Sequence, residues 1–216
     1  MEVGMLVAPL RLRFWFGRKQ YSIFKANTTD IINTRLMEPE IEFDYECISR
    51  LDTRTMSLFA RVDSELSEFV SASSRKRIRR ALRSGSVLVI ARNCHSGQIA
   101  ACRVCYVGLA ERDVLVLRDS ELYISQAFTR PKYRGMSLQA RTLQRGLMWM
   151  QEHGGIKHTA VAIVDPANTA SMRGLGKVGS VETGWLVEQR ILWCIRISKG
   201  CDDGQRFYRL VFGRPM

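Results

Sequence analysis

The hydrophobic period of this chain changes at Gly135, and that change constrains the architecture more than any other feature. Leu122 to Phe128 is a strand-like run that ends before Pro131. After Gly135, the residues Met136, Ala140, Leu143, Leu147 and Met150 recur at helical spacing. Arg141, Gln144 and Arg145 occupy the other side, and Gly154-Gly155 closes the helix. Thr159 to Val164 then reads as a buried strand and Asn168 to Lys177 as a short helix. Val181 to Val187 and Ile191 to Ile197 read as a last strand pair.

The first half is richer in strands. Tyr21 to Ala26 reads as a strand and Asp30 to Leu36 as a short helix stopped near Pro39. Ser64 to Val70 reads as a helix, and Ser73 or Ser74 as the cap of the next one, which ends near Gly85. Val87 to Ala91 and Ile99 to Val107 flank a polar turn and read as a hairpin. Val114 to Leu117 reads as one more short strand. Leu10 to Phe16 reads as a strand or extended arm, or as a basic-aromatic segment touching a membrane surface. The order gives an α+β or mixed α/β sheet.

A length of 216 residues suits one domain with a full core, and no repeat or low-complexity linker divides it. Hydrophobic residues at 46% and charged residues at 25% exclude disorder as the main state. No apolar run approaches the ~20 residues of a membrane span. Glu2 and the lack of a long apolar leader predict no signal peptide and a cytoplasmic location.

The net charge is +12, and both halves carry the excess. It favours acidic partners, or serves solubility alone. The densest patch is the helix bearing Arg75, Lys76, Arg77, Arg79, Arg80 and Arg83. It suits an acidic acceptor, a carrier protein or a phosphate, or is a solvated face. With no aromatic residues interleaved for base stacking, it argues against nucleic acid. Conversely, Glu38, Glu40, Glu42, Asp44 and Glu46 alternate with Ile41, Phe43 and Tyr45. As a strand this segment shows one acidic face, which attracts a cationic amine or is neutralised by arginines. Cys102 and Cys105 form a lone CxxC in a strand-like run. Alternation puts their sulfurs on opposite faces, as buried thiols rather than a metal site.

The chemistry concentrates in Thr129-Arg130-Pro131-Lys132-Tyr133-Arg134-Gly135-Met136-Ser137-Leu138-Gln139. A strand end, a turn and a helix start leave amides without partners beside Arg134, an anion site suited to a pyrophosphate. Downstream stands Asn168-Thr169-Ala170-Ser171, followed by Lys177-Val178-Gly179. Together these segments resemble the GNAT superfamily of acyl-CoA-dependent N-acyltransferases, over roughly residues 120–190. The matching elements are its Pro-x-Tyr-Arg-Gly turn and its Asn-x-x-Ser…Lys-x-Gly segment.

The resemblance implies a central mixed sheet flanked by helices on both faces, with residues 1–85 shaping the acceptor side. It implies acyl-CoA, acetyl-CoA foremost, in a V between splayed strands 122–128 and 159–164. Ala127, Phe128 and Thr129 would pair with the pantetheine. The amides of Arg134, Gly135, Met136, Ser137, Leu138 and Gln139 would hold the pyrophosphate, and Asn168 would line the pantetheine arm. No metal is implied. The amine acceptor, a small molecule or a protein, has no signature. An acidic carrier protein is the alternative acyl donor, and a non-catalytic binding module of the same fold is the rival class.

Glu121 is the expected base, at the spacing of the base Glu in the histone-acetylating branch. Tyr123, His153 and His158 are weaker candidates. The family usually has small residues where this chain has Ser137 and Gln139, and Gln139 is expected to narrow the phosphate site. Leu175 stands where an acid Tyr is common, and Ile163 where another branch has its Glu.

Overall fold

The computed structural model describes residues 16–49, 53–106, 117–191 and 195–212. The strands are β1 (Phe16–Asn27), β2 (Phe43–Ser49), β3 (Val87–Asn93), β4 (Ile99–Tyr106), β5 (Glu121–Thr129), β6 (Thr159–Val164), β7 (Val181–Ile191), β8 (Ile195–Asp202) and β9 (Gln205–Phe212). They form one sheet in the order β2-β3-β4-β5-β6-β1-β7-β8-β9. Among the described residues, β5 and β6 are the only parallel pair. A parallel pair needs a long crossover. Here it is a short 3-10 turn at Pro131–Tyr133 followed by a helix of 15 residues.

The helices are α1 (Thr28–Asn33), α2 (Thr53–Leu66), α3 (Ala72–Arg83), α4 (Leu138–Glu152) and α5 (Thr169–Gly176). Strand alternation assigns them to two faces. Val87 and Val89 pack with Leu143, Leu147, Ile31 and Leu175, so α1, α4 and α5 cover one face. Leu88 and Ile90 pack with Phe59, Val62, Ile78 and Leu82, so α2 and α3 cover the other. Cys102 and Cys105 fall on opposite faces as alternation requires. Burial pushes both thiols up to about 12, so they remain protonated core residues. Helix α4 approaches the sheet closely at Gly146, where an added Cβ would meet Val89 Cγ2 at 2.8 Å and Cys105 Sγ at 2.9 Å.

Several boundaries differ from the sequence reading, each for a physical reason. The cap of α3 is Ser71, whose hydroxyl accepts from the Ser74 amide at 3.3 Å. The turn before α4 delays that helix to Leu138, because Ser137 is left-handed at φ 56°. Helix α2 begins well before Ser64. The strand read at 38–46 lies instead at β2, Phe43–Ser49, and two of the acids meet arginines. Glu46 pairs with Arg92 at 3.6 Å and Glu38 with Arg141 at 3.2 Å. Strand β9 was not expected, and the last strand pair is a three-stranded meander. Leu10 to Trp15, residues 114–116 and Cys194 lie outside the described residues.

Candidate functional site

The parallel register of β5 and β6 covers only Glu121↔Thr159, Leu122↔Ala160 and Tyr123↔Val161. Beyond it the strands part. On its other side β5 carries one extra residue, since Cys102 opposes Phe128 but Val104 opposes Ser125. Gln126 takes φ 49° within that bulge. A bulge bends its strand and disrupts regular pairing. A cleft of about 260 Å³ occupies the gap, lined on the β5 side by Ser125, Ala127 and Phe128 and on the β6 side by Ala162 and Val164.

Residues from other elements complete its walls. Asn168, Ser171 and Leu175 come from the start and body of α5. Asn168 is the cap of α5, its side chain accepting from the Ser171 amide at 3.1 Å. Leu175 is buried against the core. Ser74 and Arg77 come from α3 on the opposite face, and Arg103 from β4.

The predicted anion turn lies at the end of β5. Arg130 fixes that strand end. Its Nε donates to the Ile99 carbonyl at 2.6 Å, and its guanidinium pairs with Glu68 at 2.8 Å. It also stacks over Phe69 at 4.6 Å. The chain then turns through Gly135 at φ 88° and Ser137 at φ 56°. The Ala140 and Arg141 amides donate to the Ser137 carbonyl, so the amides of Leu138 and Gln139 precede the first helical bonds. Arg134 is exposed beside them. Lys177 Nζ donates to Ser137 Oγ at 2.8 Å, which adds a second cation to the turn.

The side chain of Gln139 is bonded on both of its polar atoms. Its Nε2 donates to Thr129 Oγ1 at 2.7 Å and its Oε1 accepts from Arg103 at 3.0 Å. The side chain is thus engaged inward, between the end of β5 and β4. Arg103 is 5% exposed, and its Nε has no hydrogen-bond partner. Burial pushes the guanidinium below its ordinary value, and the neighbouring thiols Cys105 and Cys102, protonated as they are, offset little of that. The signal for Arg103 is present in the sequence, as a lone charge inside an apolar strand and between the two cysteines of the CxxC.

Glu121 is held at the start of the parallel pair. Lys25 Nζ lies 2.7 Å from its Oε1, and the Arg118 amide donates to its Oε2 at 2.8 Å. Lys25 also meets Asp202 at 2.6 Å and Asp203 at 2.9 Å. Burial opposes its charge, but the bonds to Asp202, Glu121 and Asp203 outweigh it and hold the ammonium above its ordinary value. Among the described residues, those lining the cleft include no carboxylate and no imidazole. Tyr123 lies in the core by Tyr106, and His153 stacks on Trp149 at 3.9 Å.

No protein-family model matches the sequence, and no curated protein matches it. Solved structures do. The chain is similar to a functionally unknown conserved protein from Staphylococcus epidermidis ATCC 12228, with TM-score 0.53 and 8% identity over 89% of this chain and 69% of that one. It is similar to a tandem GNAT protein from the clavulanic acid biosynthesis pathway, with TM-score 0.52 and 9% identity over 87% of this chain and 54% of that one. An acetyltransferase from the GNAT family of Colwellia psychrerythraea gives TM-score 0.50 and 11% identity, over 86% of this chain and 63% of that one. This chain thus spans between half and two thirds of the latter two. The chain has the GNAT fold, with no branch singled out.

Proposed function

Starting from the GNAT fold, we propose that this protein is an N-acyltransferase. It moves an acyl group, acetyl in the simplest case, from acyl-CoA to a primary amine. The observation that carries this reading is the bulged, splayed strand pair with a cation-flanked helix start at its mouth. Extended pantetheine fits between β5 and β6, where β5 beyond Tyr123 has no β6 partner in the register and its backbone groups face the cleft. The pyrophosphate suits the turn, where Lys177 meets Ser137 and the exposed Arg134 precedes the amides of Met136 to Gln139.

The reaction needs little more from the protein than position and charge. The amine nitrogen attacks the thioester carbon and forms the C–N bond. The C–S bond then breaks and the thiolate leaves. The nitrogen gives its proton to water, since no base lines the cleft among the described residues. A second proton, from water, makes the CoA thiol, because the acid position holds Leu175. Backbone amides at the bulge near Ala127 and Phe128 are the groups placed to stabilise the oxyanion. Glu121 organises Lys25 and the strand start in this scheme.

Calorimetry with CoA and acetyl-CoA tests the reading, paired with release of CoA thiol in the presence of an amine panel. One-to-one binding and amine-dependent thiol release are expected. Absence of binding at millimolar CoA would remove the proposal. Transfer from an acidic carrier protein is separable by charge reversal of Lys76 and Arg80 on α3, two exposed cations. That change should spare free acyl-CoA turnover and reduce turnover of a carrier-bound donor.

A further inference from the structure

Arg103 and Arg77 reach the same cleft from different elements and opposite faces of the sheet. Arg103 sits on β4, between the two residues that frame the β5 bulge. It is nearly fully buried, its Nε has no partner, and no ion pair involves it among the described residues. Among the described residues, its hydrogen-bond partner is a neutral amide, Gln139. Arg77 is exposed on α3, whereas its neighbours Arg75 and Arg79 are both occupied by Asp63, at 3.0 and 2.9 Å. Among the described residues, two guanidinium groups without carboxylate partners therefore line one cleft whose walls carry no acidic residue.

A buried charge without a counterion is costly, and an unsatisfied buried donor adds to the cost. A ligand anion would relieve both. The pyrophosphate of CoA is not that anion in the reading above. It has Arg134, Lys177 and the helix amides at the exposed mouth, whereas Arg103 lies level with the bulge, where the thioester would sit. Nor does a transient oxyanion match two full cations approaching from both faces.

We propose that the cleft binds a substrate carboxylate through Arg103, with Arg77 as the second cation. The inference rests on the acyl-CoA reading and narrows its substrate class. The carboxylate belongs to the acyl group, as in a dicarboxylic acid monothioester, or to the acceptor, as in an amino acid. Guanidinium recognises a carboxylate in fork geometry, so an arginine is the fitting residue for either source.

Paired probes distinguish the sources. Succinyl-CoA is compared with butyryl-CoA as donors of equal chain length. Glycine is compared with glycinamide as acceptors of acetyl-CoA. Succinate is compared with succinamide for thermal stabilisation without CoA. Each is measured on the wild type, Arg103→Met, Arg77→Gln and Gln139→Glu, the last placing a carboxylate on the Arg103 contact. The expected result is a preference of tenfold or more in kcat/KM for the carboxylate member of one enzymatic pair. It should be lost in Arg103→Met and Gln139→Glu and reduced in Arg77→Gln. Succinate should raise the Tm of the wild type, less so that of Arg77→Gln, and leave Arg103→Met and Gln139→Glu unmoved. Loss of the preference in Arg103→Met, with native circular dichroism, is the signature of a specificity role.

Three results would overturn the inference. One is no carboxylate preference in either enzymatic pair. Another is an equal fall in Arg103→Met for both members of both enzymatic pairs, butyryl-CoA with succinyl-CoA and glycinamide with glycine, which would assign the guanidinium to the pyrophosphate or the oxyanion. The third is a preference that survives in Arg103→Met. If CoA fails to bind at all, the acyl-CoA reading falls separately, and the succinate shift still decides whether the cleft holds a carboxylate.

Discussion

Lys25 Nζ lies 2.7 Å from Glu121 Oε1, with side chains 8% and 4% exposed, and so joins strand β1 to the start of β5. The pair is closed off further by Asp202 and Asp203. Both Glu121 oxygens have a partner. A carboxylate held in this way is placed to fix strands, and its conversion to an amide removes one buried charge from a lysine that keeps two others.

Glu121→Gln is therefore expected to lower stability by roughly 1–3 kcal/mol, below the ~3–5 kcal/mol of a pair with no remaining partner. The fall in kcat per folded molecule should stay under tenfold. Chemical denaturation and steady-state rates check this. A fall of about 10²-fold with unchanged stability would instead make Glu121 the base. The Lys25 cluster has a pH signature as well. Its ammonium is held above the ordinary 10.5. Its stabilisation is fully present below that value and is lost as pH rises through the higher folded value. Glu121→Gln should weaken resistance to alkaline unfolding above about pH 10.

Gln139→Leu removes the bonds to Thr129 and Arg103 together. It leaves a buried guanidinium with fewer partners and should cost about 1–3 kcal/mol. Gln139→Gly should cost at least as much, because it also places glycine in the first turn of α4. Thermal melts measure both. A variant as stable as the wild type would show that the amide is a passenger and restore the idea that it narrows the phosphate path.

How legible all this was in the sequence depends on range. The change of period at Gly135 exposed β5, α4 and β6 because each is set by local hydrophobic spacing. Strand β6 was read to the residue. Strand β9 was not, because Gln205 to Phe212 begins with polar residues and contains Arg206 and Arg209 between its apolar ones. The place of β1 between β6 and β7 was hidden too, since it depends on partners more than 130 residues away. The turn at Arg134 to Gln139 was visible as a motif. The direction of the Gln139 side chain was not, since it answers to Arg103, 36 positions earlier.

Lys177→Ala should raise the Kd for CoA by about tenfold. Its ammonium reaches Ser137 Oγ at 2.8 Å and adds positive charge to the turn. Arg134→Ala should act in the same direction. Both losses should shrink as salt rises, since exposed charges are screened within about 8–10 Å near physiological ionic strength. Calorimetric titration at two salt concentrations reads the effect. Unchanged affinity in both variants would move the pyrophosphate away from this turn.

Gly146→Ala probes the packing of α4 on the sheet without touching the cleft. Alanine favours the helix by up to ~1 kcal/mol, yet its Cβ would meet Val89 Cγ2 at 2.8 Å and Cys105 Sγ at 2.9 Å. Overpacking of that kind costs about 1–3 kcal/mol, so a net loss is expected. At this chain length it corresponds to a Tm lower by roughly 2–8 °C. A variant with raised Tm would show that α4 can move off the sheet at no cost.

The rate of transfer should rise with pH through the neutral range without a plateau. An alkylammonium acceptor has a pKa near ~10, so only a small fraction is nucleophilic at pH 7. No carboxylate or imidazole lines the cleft among the described residues, so nothing there takes the proton at neutral pH. The log of kcat/KM should then climb by about one per pH unit between pH 7 and 9, following the free amine. The bend should fall at the acceptor's own pKa, and at the same pH in the wild type and in Arg103→Met, because kcat/KM follows the free enzyme and the free amine. A bell or a plateau with an apparent pKa near 6–7 would require a protein base and would return Glu121 or His158 to the reacting atoms.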